Sequence, residues 1–315
     1  MEECFENLEE WIMFAGRVED VPALHFPMKR FYFLSSSHLD DRLLFQDDED
    51  YKAGMNYVAI AALRAGIDVI VFVLMSNHVH FVVWADETSA QDFAEIFKRL
   101  YSLYYRNKYS IGHLLRRNTV DCREIPIEDE KLERTIAYVI MNPVAANICL
   151  SPTTYRWGCG TSFFSSRPMK GTPLSDMSAR EKIKLFHCKQ VPKADWMICD
   201  EGYVLPESFI RKNLVESLFQ TAKRMNFFLI NSSKAKKAME TWEEIHPSFR
   251  DQTLIHVMRD IYSSILKKSS WEELTESEKE RLVYEMRRRL SPDPVQLSRV
   301  LGVRPDELAK IIARS

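Results

Sequence analysis

An α+β fold, with an antiparallel sheet, helices packed against it and an all-α domain behind it, is what this sequence predicts. Three observations predict it. Short aromatic or β-branched runs alternate with helix-period stretches over the first half of the 315 residues. Two of those runs, DVIVFVLM and HVHFVVW, are parted only by Ser76-Asn77, so they form a hairpin. Beyond about residue 180 the pattern is helical.

The elements follow in order. RFYFLSS (30–36) is short and aromatic-rich, and reads as a strand. HLDDRLLFQDDED is an acidic loop with turn-forming aspartates. Tyr51 to Arg64 reads as a helix stopped by Gly66. Asp68 to Met75 is a buried strand, Ser76-Asn77 a tight turn and His78 to Trp84 the returning strand. Ala90 to Tyr105 reads as an amphipathic helix and Cys122 to Ile127 as a strand. Asp129 to Met141 reads as a helix ended by Asn142-Pro143, because proline disfavours helical geometry in the residue before it. The order β-α-β-β-α-β plus a further helix is the ferredoxin-like (RRM-like) arrangement. The chain then divides into an N-terminal extension (1–27), the sheet domain (28–165), a polar linker (166–180) and a helical domain (181–315). Within the last, Thr275 and Glu278 have capping-box spacing. Residues 293–314 have helix-turn-helix spacing around Gly302.

Composition narrows the function. A hydrophobic fraction of 46% supports a sizeable core. No run of about 18 apolar residues could span a bilayer, and the acidic start MEECFENLEEW is not a secretory signal. Six cysteines without a CxxC pair point to reduced thiols and a cytoplasmic location. The net charge of -2 requires that any nucleic-acid site be a local patch. One candidate runs from Lys98 to Arg123, where seven Lys/Arg face a single acid, Asp121. Lys98, Arg99, Arg106, Lys108, Arg116 and Arg117 would hold phosphates, and Tyr101, Tyr104 and Tyr105 would stack bases. The competing reading is a solvated helix face with tyrosines packed on the core.

His78-Val79-His80 carries the chemistry. Residues two apart on a strand face the same way, about 6–7 Å apart, a separation that one divalent ion can bridge. Histidines on an apolar strand need partners for their ring nitrogens; a hydrogen-bonded pair without metal is the alternative. Tyr138 and Asn142, four residues apart, share a helical face. A tyrosine hydroxyl is a poor nucleophile unless a metal polarises its target or it is itself activated. An amide oxygen one turn on could complete a ligand set with the two histidines. Singly, Tyr138 reads equally as a packing aromatic and Asn142 as a helix-end residue.

The stretches VLMSNHVHFVV, RLYSLYYRNKY, AYVIMNPVAAN and YRW (155–157) resemble the single-tyrosine HUH transposases, among them the REP-associated tyrosine transposases. LFQDDEDY (44–51) resembles that family's N-terminal region. The likeness covers about residues 30–160. Ser76 stands where the family has proline, Ala145 where it has arginine, and Gly158-Cys159 where it has serines. IGHLLRRN (111–118) replaces its glycine-rich loop. The resemblance implies that His78, His80 and Asn142 hold Mg²⁺ or Mn²⁺. It implies that Tyr138 attacks a scissile phosphate in single-stranded or hairpin DNA, forming a 5′-phosphotyrosine and freeing a 3′-hydroxyl. A second strand's 3′-hydroxyl then reverses the step. Tyr101, Tyr104 and Tyr109 are rival nucleophiles, and a homodimer is a candidate assembly. Three other readings compete: a non-catalytic hairpin-binding regulatory descendant, a replication- or mobilisation-type HUH nickase, and a chance HxH. The last predicts that His78, His80 and Tyr138 lie apart.

Overall fold

The computed structural model describes residues 28–36, 43–110, 120–146, 148–166, 169–187, 194–232, 251–290 and 292–314. Arg116, Arg117, the extension 1–27 and the segment 111–118 lie outside the described residues. The first half is β1 (Arg30–Ser36), α1 (Asp48–Ala65), β2 (Asp68–Leu74), β3 (Val79–Ala85), α2 (Glu87–Tyr109), β4 (Val120–Ile125) and α3 (Lys131–Ala145). The four strands form one sheet in the order β2-β3-β1-β4, and every neighbouring pair is antiparallel. The architecture is therefore mixed helix and antiparallel sheet, of the α+β class.

Alternation along the strands sorts the helices. Phe81 packs edge-on against Phe93 and Phe97 of α2. Gly54 of α1 lies against Leu74, on the same face. His80, one residue from Phe81, points to the opposite face, where it meets Tyr138 of α3. Helices α1 and α2 thus cover one face of the sheet and α3 the other.

The helices run longer than the apolar periodicity suggests, because polar caps extend them. Asp47 caps α1 by accepting the Asp50 N–H, and Gly66 closes it at φ 65°. Asp86 caps α2 in the same way from Ser89. Asp129 and Glu130 are both left-handed (φ 58° and 57°), so α3 begins at Lys131. It does not end at Asn142 but continues through Pro143 to Ala145. Pro143 has no N–H to offer the Val139 carbonyl. The Asn142 side-chain amide donates instead, to the Tyr138 carbonyl at 2.8 Å and the Val139 carbonyl at 3.4 Å.

The outer edge of β2 is occupied. Leu74 N–H donates to the Trp157 carbonyl, and Cys159 N–H to the Phe72 carbonyl. Arg211 N–H donates to Val69 further along the strand. The Tyr-Arg-Trp segment is therefore structural here. Tyr155 donates its hydroxyl to the Leu74 carbonyl at 2.6 Å, and Trp157 stacks on Tyr51. The buried Cys159 sulfur accepts the Phe72 N–H, and burial pushes its thiol up to about 12. No disulfide joins Cys122, Cys149, Cys159 or Cys199.

The core around the sheet also takes in residues from beyond the expected linker at 166–180. Leu174, Phe186, Trp196, Ile198, Val215 and Phe219 belong to the same core as the sheet. They lie in or beside a short ladder, β5 (Thr172–Pro173) with β6 (Met197–Ile198), and in α4 (Ala179–Phe186) and α5 (Lys212–Phe219); Met225 and Phe228 of α6 (Ala222–Ile230) join them. A second core begins at Leu254 and ends at Ile311. It is built by α7 (Asp251–Asp260), a π-helical turn (Ile261–Leu266), α8 (Glu276–Leu290), α9 (Pro294–Leu301) and α10 (Pro305–Ile312). Thr275 and Glu278 exchange side-chain and backbone hydrogen bonds ahead of α8, as a capping box does. Gly302, at φ 69°, turns α9 into α10. Among the described residues no helix is long and apolar enough to cross a membrane.

Candidate active site

Four rings meet between the sheet and α3. His78 and His80 lie with ring centroids 4.8 Å apart. His80 lies 5.6 Å from Tyr138 and stacks on Phe33 at 5.4 Å. Phe33 in turn meets the Tyr138 ring edge-on at 6.0 Å. His80 is 5% exposed, while His78 and Tyr138 are half-buried. The turn and strand of one hairpin bring His78 and His80 together, and α3, about 60 residues further along the chain, brings Tyr138 to them.

Local structure explains each position. β3 begins at Val79, so His78 belongs to the turn rather than the strand. The Met75 N–H donates to the His78 carbonyl at 2.8 Å and closes that turn. Asn77 Oδ1 lies 2.8 Å from His78 Nδ1. An amide oxygen can only accept, so this contact is a hydrogen bond when His78 carries its proton on Nδ1. Asn142 is 2% exposed and sits one turn beyond Tyr138. Its amide nitrogen donates to the helix carbonyls of Tyr138 and Val139.

Beside Tyr138 opens a groove of about 420 Å³ between β4 and α3, lined by Phe33, Arg123, Ile125, Lys131, Arg134 and Thr135 among others. Arg123 pairs with Asp121 and Arg134 with Glu130. Both arginines are well exposed. Such surface pairs are worth little, so a phosphate can replace the carboxylate.

The predicted basic-aromatic surface on α2 is on the other side of the sheet, and part of it is internal. Tyr101, Tyr104 and Tyr105 are at most 8% exposed. Tyr101 donates to the Leu44 carbonyl at 2.6 Å and Tyr104 to Asp50 at 3.1 Å, while Tyr105 accepts from Gln46. These three rings fill the seam between α1 and α2 and are not available to stack bases. The pattern was misleading because an aromatic stripe at helical spacing serves a core equally well. Burial first, then the negative charge of Asp50, raises the hydroxyls of Tyr101, Tyr104 and Tyr109 well above the usual tyrosine range. Tyr101 and Tyr104 are also shielded from solvent, at 0% and 8% exposed. Lys108 is held by Asp47 at 2.6 Å and by the buried Asp50 at 2.8 Å. Burial alone would raise the Asp47 carboxyl, but the Lys108 ammonium and the Asp50 amide hold it below its usual value. Lys98 pairs with Glu95. Arg99 and Arg106 are exposed on α2, away from Tyr138.

Asn77, beside His78, and Lys131 and Arg134, on the groove wall, were not singled out by sequence reasoning. A polar residue immediately before HxH was the signal for Asn77. For the other two, the signal was their position seven and four residues before Tyr138 on one helix, with Arg134 sharing its face.

No protein family matches this chain, and no curated protein matches it. Among solved structures, it is similar to a REP-associated tyrosine transposase bound to a REP hairpin. The identity is 9% and the TM-score 0.32, over 43% of this chain and 78% of that one. The functional reading therefore stands on this chain's own residues.

Proposed function

We propose that this chain is a metal-dependent, single-tyrosine enzyme that nicks and rejoins single-stranded DNA next to a hairpin, in the manner of the HUH transposases that its sequence resembles. Its sheet order, β2-β3-β1-β4, is read as the ferredoxin-like arrangement of that family. The observation that carries the proposal is the meeting of His78, His80 and Tyr138, with Tyr138 on the wall of a groove that also bears Arg123, Lys131 and Arg134.

The types of donor, two imidazoles and an amide oxygen, are what support a divalent ion in this reading. Among the described residues no three His, Cys, Asp or Glu gather as a metal cluster, so the ligands would be the two imidazoles and the amide oxygen of Asn142. Mixed nitrogen and oxygen donors suit Mn²⁺ or Mg²⁺ better than structural zinc. When bound, the ion would supply Lewis-acid polarisation of the scissile phosphate. The protein's own residues do the rest. Arg123, Lys131 and Arg134 bind the phosphates of the strand in the groove. Asn77 fixes the His78 tautomer. Tyr138 Oη forms a bond to phosphorus as the bond to the 3′-oxygen breaks. The tyrosine proton is lost and the departing 3′-oxygen gains one, leaving a 5′-phosphotyrosine and a free 3′-hydroxyl. Attack by another strand's 3′-hydroxyl reverses the step without an external energy source.

The test is to incubate labelled hairpin DNA carrying a single-stranded flank with the protein and Mn²⁺, beside Tyr138→Phe. A covalent protein–DNA band that requires both metal and Tyr138 is the expected result. Tight binding with no band in the wild type would overturn the catalytic reading and favour a regulatory hairpin binder.

A further inference from the structure

The turn that carries His78 is fastened from two sides, and both fastenings end in the second core. Ser76, the residue after Met75 in that turn, is 6% exposed. Its hydroxyl donates to the Asp251 carboxylate at the start of α7. Its carbonyl accepts the N–H groups of Leu44 at 2.7 Å and Phe45 at 3.0 Å. The Leu44-Phe45 segment is itself held by Gln252, whose amide donates to the Phe45 carbonyl at 2.9 Å and the Tyr51 hydroxyl at 3.2 Å.

Asp251 is 3% exposed and is fully engaged. Arg299 of α9 grips it with two bonds, at 2.9 and 3.1 Å, and Gln296 of α9 adds a third at 2.8 Å. A buried carboxylate with a bidentate guanidinium partner is rigid and directional. It transmits position better than an apolar contact of the same size. The face of α9 that holds Asp251 is therefore turned inward, a use that its helix-turn-helix spacing does not suggest.

We infer that Asp251 is a positioning residue for the candidate metal site: by holding Ser76, the carboxylate clamped on α9 fixes the Asn77-His78 turn. The C-terminal helical unit is then part of the machinery that orients His78, and a displacement of α9 would loosen it. The role of His78 as a ligand rests on the function proposed above, but the clamp itself does not.

Ser76→Ala removes the transmitting hydroxyl and leaves the Asp251–Arg299 pair intact, so the protein should fold. Gln296→Ala loosens the carboxylate from the other side. The first readout needs no metal: the ¹⁵N shifts of the His78 ring, which report its tautomer. The wild type should show the Nδ1-protonated form, Ser76→Ala a mixture, and Gln296→Ala a smaller change in the same direction, with melting temperatures close to wild type. The second readout is Mn²⁺ affinity by EPR, beside His78→Ala. Ser76→Ala should weaken binding about tenfold, as loss of an outer-sphere support does. Ring shifts in Ser76→Ala identical to wild type overturn the clamp, whether or not metal binds. Wild-type protein that binds no Mn²⁺, or binds it as well after His78→Ala, overturns the metal reading while the ring shifts still decide the clamp.

Discussion

A phenol reaches a phosphate only from an accessible surface, and this chain offers its tyrosines very different surroundings. Tyr138 is half-buried on the wall of a groove, in ring contact with His80. Tyr101 is fully buried and donates its hydroxyl to a main-chain carbonyl. The two should therefore fail differently. Tyr138→Phe is expected to abolish the covalent DNA adduct and leave the urea-unfolding midpoint nearly unchanged. Tyr101→Phe is expected to keep the adduct and cost about 1–2 kcal/mol, since the Leu44 carbonyl is left buried and unbonded. Loss of the adduct in a folded Tyr101→Phe protein would move the nucleophile to the α1–α2 seam. At this scale the nearness of His78 and His80 was legible from their spacing, although His78 lies in the turn and only His80 in the strand. The fate of the α2 tyrosines was not, because periodicity marks which side chains share a face and cannot say whether that face meets solvent or another helix.

The elements hold the site through two features that propensity does not report. The first is Gly158, pressed against the edge of β2. A Cβ there would lie 2.8 Å from the Phe72 carbonyl oxygen and 3.3 Å from the Val73 Cα, both main-chain atoms of the strand. Gly158→Ala should cost about 1–3 kcal/mol through overpacking, read as a lowered denaturant midpoint. An unchanged midpoint would mean that the edge pairing is loose. The second is α3's passage through Pro143. If the Asn142 amide substitutes for the missing N–H, Pro143→Ala should stabilise the metal-free protein by about 1 kcal/mol. Asn142→Ala should then cost more with Pro143 in place than in the Pro143→Ala background, and a double-mutant cycle measures that coupling. Additive effects would sink this account of the helix end. The strands and the β2-β3 hairpin were readable because apolar runs and a tight turn encode them locally. The helix ends were less readable, because Asp47, Asp86 and Asn142 act through hydrogen bonds that hydrophobic periodicity does not register.

For the molecule as a whole, charge restricts where DNA can lie. A chain with a net charge of -2 has no general attraction for a polyanion, so the proposed function requires that DNA be held by one local set of cations. The two faces of the sheet offer rival sets. The α2 side carries Arg99 and Arg106, with Lys108 already bound by Asp47 and Asp50. The α3 side carries Arg123, Lys131 and Arg134 around the groove at Tyr138. Three phosphate contacts to a single strand predict that log K falls with log salt at a slope of about -2. Arg134→Gln should shallow that slope by about 0.7, the share of one phosphate, whereas Arg99→Gln or Arg106→Gln should leave it unchanged. The comparison is made by fluorescence anisotropy with one labelled hairpin across a salt series. If Arg106→Gln shallows the slope and Arg134→Gln does not, the strand lies across α2, remote from Tyr138. A nucleophile cannot act on a phosphate held on the far side of the sheet, so that result would refute the nicking mechanism along with the groove.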